Sequence, residues 1–288
     1  DIFFIPVGGG GLISGMSIYL KKHFPKCKIY GVESEDAPTL YTSLKNNKPT
    51  DLPQVGLFVD GCAVKRIGSE TFKISKEYVD EVILVSIDET CAAIKDIYED
   101  TRIMSEPAGA LSIAGMKKFL SNNNIKGKNI YAINSGANLN FDRLRHVTER
   151  AEIGEGKEVL LSVKIPEQPG SFRAFCEVIG RRSISEFNYR YSDNESANVF
   201  VGIKTDDFLL DKKSISNDLQ SKKYEFIDLT KDEVAKLHLR YMVGGKPRAK
   251  INEKLFRFEF PEKPGALLNF LNKMKKDWDI TLFHYRNH

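Results

Sequence analysis

The sequence predicts an α/β chain: a unit with a largely parallel sheet covered by helices, followed by ferredoxin-like units. Three observations point there. Up to about residue 148, short apolar runs alternate with segments of helical spacing. Such alternation argues for a parallel sheet, because parallel neighbours need a crossover, usually a helix. Beyond residue 150 a strand, a Pro-Glu-x-Pro-Gly turn and a helix occur twice in the same order. The length of 288 residues fits about two domains.

The elements of the first part follow in order. Ile2–Val7 reads as an apolar strand leading straight into Gly8, Gly9, Gly10, Gly11 and Leu12. Leu12–His23 has helical spacing, with Pro25 just past it, and Lys28–Val32 reads as a second strand. Thr71–Phe72 and Glu81–Val85 read as short strands around a polar stretch. Asp88 is the expected N-cap of a helix running toward Ile103. Ala108–Leu120 is expected to be helical, with Pro107 in its first turn. Asn129–Asn134 reads as a strand, followed by the loop Ser135-Gly136-Ala137-Asn138. The polar stretch Gly154-Glu155-Gly156-Lys157 fits a domain boundary.

In the second part, Val159–Ile165 reads as a strand, then Pro166-Glu167-Gln168-Pro169-Gly170, then a helix around Phe172–Ile179. The copy runs through Leu255–Phe260, Pro261-Glu262-Lys263-Pro264-Gly265 and Leu267–Met274. Ile184–Arg190 likewise matches Ile280–Arg286. The first copy adds a strand (Asn198–Ile203), a helix (Ser214–Gln220) and a strand (Tyr224–Leu229), completing the β-α-β-β-α-β order. The second reaches only β-α-β by His288, which would leave an unpaired edge. The expected divisions are 1–150, 158–231, a 232–252 linker and 253–288. A strand already running at Asp1 and a half-built second copy are expected of a chain cut at both ends and poorly stable by itself. A targeting segment upstream would then be invisible.

Composition narrows the function. With 41% hydrophobic, 10% aromatic and 28% charged residues, the chain is neither disordered, collagen-like nor coiled-coil. No apolar run approaches the ~18–20 residues of a membrane helix. Basic and acidic residues number 43 and 39, a balance that argues against a nucleic-acid partner. Cys27, Cys62, Cys91 and Cys176 form no CxxC pair and have no His at zinc-ligand spacing. Reduced, packed thiols of a cytoplasmic-type protein are expected.

Three short segments are candidates for chemistry. Gly8–Gly11 lies between a strand and a helix. Glycines leave room for a ligand, and a helix N-terminus offers free N–H groups, so together they can cradle a phosphate. No Lys-Ser/Thr follows, which excludes a Walker loop, and the pattern is not that of a dinucleotide fold. Ser135 follows a strand, where ligands gather in open α/β sheets. Glu106, in Glu106-Pro107-Ala108-Gly109-Ala110, reads equally as a site carboxylate or as one favoured by the helix dipole. Glu33, at a strand end, is open in the same way.

These segments, with Leu139-Asn140-Phe141 after the serine loop, resemble the fold-type II pyridoxal-phosphate enzymes, most closely the biosynthetic threonine dehydratase (threonine deaminase, L-threonine ammonia-lyase) family. The two Pro-Glu-x-Pro-Gly copies and Leu239–Gly245 resemble that family's ACT-like regulatory domains. The resemblance implies that residues 1–150 are the C-terminal part of a catalytic domain with pyridoxal 5'-phosphate as cofactor. It places Gly8, Gly9, Gly10, Gly11 and Leu12 on the phosphate, Ser135 on the pyridine nitrogen and Glu106 near the ring. It implies L-threonine as substrate, 2-oxobutanoate and ammonia as products, and a place at the head of isoleucine biosynthesis.

The family's Schiff-base lysine lies in an SFKxRGA-like motif that this sequence lacks, so that lysine is expected upstream of Asp1 and no catalytic residue is assigned here. A serine cannot hold a protonated ring nitrogen as a carboxylate would. The resulting weaker electron sink favours β-elimination over transamination. Thr39 stands where some serine-acting relatives have a metal-ligand aspartate, so no metal is expected. The resemblance further implies isoleucine as inhibitor, valine as activator and a homotetramer. Tyr189, Arg240, Tyr285 and Arg286 are the candidate regulatory residues: an aromatic rim suits an aliphatic side chain and an arginine takes a carboxylate. Two other readings stand beside this one: an amino-acid sensor without catalysis, and another fold-type II enzyme acting on serine, such as a racemase or dehydratase.

Overall fold

The computed structural model describes residues 1–190, 196–237, 254–258, 264–274 and 280–286. Two compact units divide the chain, Asp1–Glu155 and Gly156–His288.

The first unit runs β1 (Ile2–Pro6), α1 (Gly11–His23), β2 (Lys28–Ser34), α2 (Thr39–Lys45), a 3-10 turn (Asp60–Cys62) and α3 (Ser69–Tyr78). It continues with β3 (Glu81–Val85), α4 (Ile87–Thr101), α5 (Pro107–Asn122), β4 (Ile130–Ala132), a second 3-10 turn (Phe141–Arg143) and α6 (Leu144–Gly154). The sheet order is β3-β2-β1-β4, all parallel. Successive residues of β1 face opposite sides, and both sides are covered. Phe4 joins a core with Val32, Val85, Ala110 and Leu111, while Ile5 joins another with Ile13, Ile29, Leu40 and Phe72. Each large side chain buried this way contributes roughly 1.5–3 kcal/mol.

Two local expectations are corrected here. Thr71–Phe72 is not a strand but lies in α3, where Phe72 and Ser75 sit buried three residues apart. Packing on α1 selects the helix over the strand propensity of the Thr-Phe pair. The N-cap of α4 is Ser86 rather than Asp88. Ser86 accepts from the Glu89 amide and Glu89 accepts from the Ser86 amide, a closed capping box. Asp88 instead pairs with buried Arg150 at 2.6 Å.

The second unit runs β5 (Glu158–Pro166), α7 (Ser171–Ile179), β6 (Ile184–Arg190), β7 (Ser196–Lys204), α8 (Phe208–Ser221), β8 (Glu225–Asp228), α9 (Glu233–Leu237), α10 (Ala266–Lys273) and β9 (Leu282–Arg286). Its antiparallel sheet has the order β8-β5-β7-β6-β9. The first repeat therefore folds as β-α-β-β-α-β. Of the expected strand Leu255–Phe260, residues 255–258 form none, and 259–260 lie outside the described residues.

The register of β6 with β9 shows how the copies meet. Asn188 pairs with His284, its own counterpart in the repeat, and Glu186 with Arg286, Arg190 with Leu282. The same strand thus pairs with itself about a local two-fold axis within one chain. Phe283 packs on Phe172 and Phe187 across that seam.

Candidate functional site

The strand order creates the site. From β1 the chain passes through α1 to β2 on one side, while β4 pairs on the other side of β1. The carboxyl ends of β1 and β4 are therefore neighbours whose loops diverge, which is where an open α/β sheet offers a crevice. Gly8–Gly11 leaves β1 there, and Ser135 leaves β4 there.

The glycine run is held from below. Thr71 Oγ1 donates to the Gly9 carbonyl at 2.8 Å, and Ser14 N donates to Gly10 O at 3.0 Å. Gly10 is the N-cap of α1 with φ 87°, and a Cβ there would sit 2.8 Å from Thr71 Cβ. A side chain is excluded on both counts. Gly9 and Gly11 differ: a Cβ on either would meet nothing within 4 Å. The first turn of α1 carries no acidic residue, and no side chain caps it. Its leading N–H groups have no intrahelical acceptor. This cradle fits a phosphate. Leu12 is exposed in that first turn.

Glu106 and Ser135 converge opposite. Glu106 is the N-cap of α5, yet its side chain makes no capping hydrogen bond. Its carboxylate lies over Gly136, where a Cβ would fall 1.9 Å from Oε1. The Glu106 amide donates to Gly136 O at 3.2 Å. Ser135 is exposed, its hydroxyl only 3.4 Å from the Ala108 carbonyl.

The turn Asp60–Cys62 closes the floor, a contribution that sequence reasoning missed. A Cβ on Gly8 would come 3.1 Å from Cys62 Cα, and one on Gly61 would come 2.8 Å from Ala108 Cβ. Arg143 anchors the segment, donating to Phe58 O at 3.1 Å and pairing with Asp60 at 3.0 Å. Nothing in the local sequence marks residues 60–62, because only the fold brings them under Gly8. Burial first, then the charges of Glu33, Glu106 and Asp60, push the Cys62 thiol up to about 11. Cys62 therefore stays protonated at neutral pH and is no thiolate nucleophile. All four cysteines are buried.

Glu33 is a structural carboxylate. It is fully buried and accepts the amides of Leu40 at 2.7 Å and Tyr41 at 2.9 Å, at the start of α2. Burial pushes it up to about 7, against the pull of those backbone donors. Thr39 donates to the Val64 carbonyl at 2.9 Å. Among the described residues no three His, Cys, Asp or Glu side chains cluster to hold a metal.

In the second unit a cavity of about 170 Å³ opens between the end of α7 and the start of α10. Tyr285 lines it, with Lys204, Ser183, Ile184 and Leu267. Gly265, the N-cap of α10, and Ala266 bring that helix's uncapped N-terminus to its wall. Tyr189, the counterpart of Tyr285, is placed elsewhere: it is buried, and its phenol donates to Glu167. Arg286 stands opposite Glu186 in the β6–β9 register. Arg240 lies outside the described residues, as do 259–263 and most of the 232–252 segment.

Residues 1–136 match the family described as pyridoxal-phosphate-dependent enzymes, and residues 149–239 and 245–288 match the C-terminal regulatory domain of threonine dehydratase. The chain is 51% identical over its whole length to the biosynthetic L-threonine dehydratases of Pasteurella multocida and Escherichia coli, covering 56% of each. It thus spans about half the length of the curated relatives it matches. A solved structure, the processed form of threonine deaminase isoform 2 from Solanum lycopersicum, aligns at 43% identity with a TM-score of 0.52, covering 52% of this chain and 44% of that one.

Proposed function

We propose, because this chain belongs to the threonine dehydratase family of pyridoxal-phosphate-dependent enzymes, that the protein converts L-threonine to 2-oxobutanoate and ammonia in isoleucine biosynthesis. The observation that carries this reading is the pairing of an uncapped, open glycine cradle with Ser135 at adjacent strand ends.

The residues that would hold the cofactor are Gly8–Leu12 at its phosphate and Ser135 at its ring nitrogen, with Glu106 beside the ring. Bound pyridoxal phosphate supplies the sink for the electron pair left at the substrate's α carbon. The α1 amides hold the phosphate and so orient the ring. The Ser135 hydroxyl can donate to the ring nitrogen but cannot stabilise a proton there, which keeps the ring a modest sink and favours loss of the β-hydroxyl. No lysine of this chain is proposed for the Schiff base. The full-length protein, purified with pyridoxal phosphate, should form a 2-oxo acid from threonine. Tight cofactor binding without product would favour the sensor reading; preference for serine would favour the other fold-type II reading.

Regulation by isoleucine, activation by valine, a homotetramer and a cytoplasmic location belong to the same proposal. Among the described residues no helix is long and apolar enough to cross a membrane. Tyr285, on the 170 Å³ cavity, supports an effector site: an aromatic wall, the Lys204 cation and helix N–H groups suit an aliphatic amino acid. Arg240 and Arg286 complete the proposed set, while Tyr189, buried and bonded to Glu167, does not line this cavity. In the full-length enzyme, Tyr285→Ala should raise the isoleucine concentration for half inhibition and leave uninhibited turnover intact. An unchanged inhibition curve would remove Tyr285 from the site.

A further inference from the structure

Ser105 was not singled out by the sequence, yet it is fully buried beneath the Ser135 loop. Its Oγ lies 2.8 Å from Asn134 Oδ1, 3.1 Å from Gly136 O and 3.3 Å from Glu106 O. A hydroxyl has one proton and cannot donate to three acceptors. The arrangement closes if the Asn134 amide turns its NH₂ toward Ser105 Oγ while the Ser105 proton goes to Gly136 O. Amide orientation is fixed only by such networks. Gly136 O also receives the Glu106 amide at 3.2 Å. Both neighbours of Ser135 are thereby tied to the start of α5. Among the described residues the Ser135 hydroxyl has only its 3.4 Å contact to Ala108 O. Gly109 admits the junction: a Cβ there would lie 2.2 Å from Gly136 O and 2.6 Å from Ser105 Oγ.

We infer that Ser105 is a positioning residue, whose hydroxyl clamps Asn134 and Gly136 so that the Ser135 hydroxyl is aimed at the cofactor ring. This rests on the reading that Ser135 meets the ring nitrogen. A weakly held serine on a rigid turn is pre-organised, because its side chain exchanges only a long contact for the new one.

The test uses the full-length enzyme and two readouts besides turnover: the equilibrium dissociation of pyridoxal phosphate and the absorbance spectrum of the bound cofactor. Ser105→Ala and, separately, Asn134→Ala should weaken cofactor retention about three- to tenfold, the scale of one net hydrogen bond. Each should also shift the spectrum in the same direction as Ser135→Ala. In a Ser135→Ala background, Ser105→Ala should add nothing, because it acts through Ser135. Equal losses in both backgrounds would make Ser105 a general structural residue and overturn the inference. So would a Ser135→Ala effect without any from Ser105→Ala or Asn134→Ala. If Ser135→Ala itself leaves affinity and spectrum unchanged, the ring-nitrogen reading falls and the inference with it. Asn134 is exposed, so Asn134→Ala carries the test should the buried Ser105→Ala variant fail to fold.

Discussion

Gly10 and Gly11 are neighbours that are glycine for different reasons. Gly10 is fixed by backbone and crowding, with φ 87° and Thr71 2.8 Å from any Cβ. Gly11 has helical backbone and nothing within 4 Å, so the fold does not demand a glycine there, and on the proposed reading its missing side chain leaves room for the phosphate. Gly11→Ala should therefore hold or raise the apo-protein's thermal midpoint, since alanine gains up to about 1 kcal/mol in a helix. The same variant should lose pyridoxal phosphate more readily, as equilibrium dialysis would show. A variant that binds the cofactor as the parent does would place the phosphate elsewhere. Glu33 gives a prediction in pH. Its folded value of about 7 exceeds the ordinary 4.5, so the fold favours the protonated form. That stabilisation is complete below about pH 4.5 and is lost as pH rises through 7. Urea unfolding at pH 5 and pH 8 should show the parent losing stability over this interval, and Glu33→Gln losing less.

At the scale of the element, the helices of the first unit are placed by their starts. α4 begins with a closed capping box between Ser86 and Glu89, and the Glu89 carboxylate also meets Lys118 of α5 at 3.0 Å. Ser86→Ala should cost about 1 kcal/mol, read as a lower denaturant midpoint with unchanged slope. No loss would mean that Glu89 and the tertiary contacts alone hold that end. α5 starts under a different demand. Pro107 suits its first turn, but Glu106 leaves the helix uncapped and directs its carboxylate over Gly136. On the proposed reading, that start leaves the Glu106 carboxylate to the cofactor's side rather than to the helix.

Across the whole chain, the second unit shows one sequence pattern used twice to build one sheet. β9 extends the sheet by pairing with β6, its counterpart, and Phe283 stands 5.1 Å from Phe172 and 6.0 Å from Phe187. Phe283 is only partly buried, so Phe283→Ala should cost about 2 kcal/mol, below the roughly 3–5 kcal/mol of a fully buried ring. Hydrogen exchange should quicken at the amides of β6 and β9 together. Faster exchange at β9 alone would mean that the copies are not coupled through this ring.

Much of this was legible in the residues. The alternation of apolar strands and helices marked β1, α1, β2, α5 and the parallel sheet, because burial on both faces demands continuous apolar runs. The Gly8–Gly11 run and the Pro-Glu-x-Pro-Gly copies declared themselves, since turns and helix starts need particular local chemistry. Local pattern failed where distant contacts choose the outcome. Thr71 lies in a helix because Phe72 and Ser75 face α1, and its hydroxyl then holds Gly9. Cys62 lies under Gly8, and Ser105 under Ser135, through contacts between segments far apart in the chain that no local pattern records. Tyr189 and Tyr285 are the same letter in the same motif, yet one is bonded to Glu167 in the core and the other lines a cavity. Sequence specifies what each segment can form, while the packing of segments far apart in the chain sets which side chains meet.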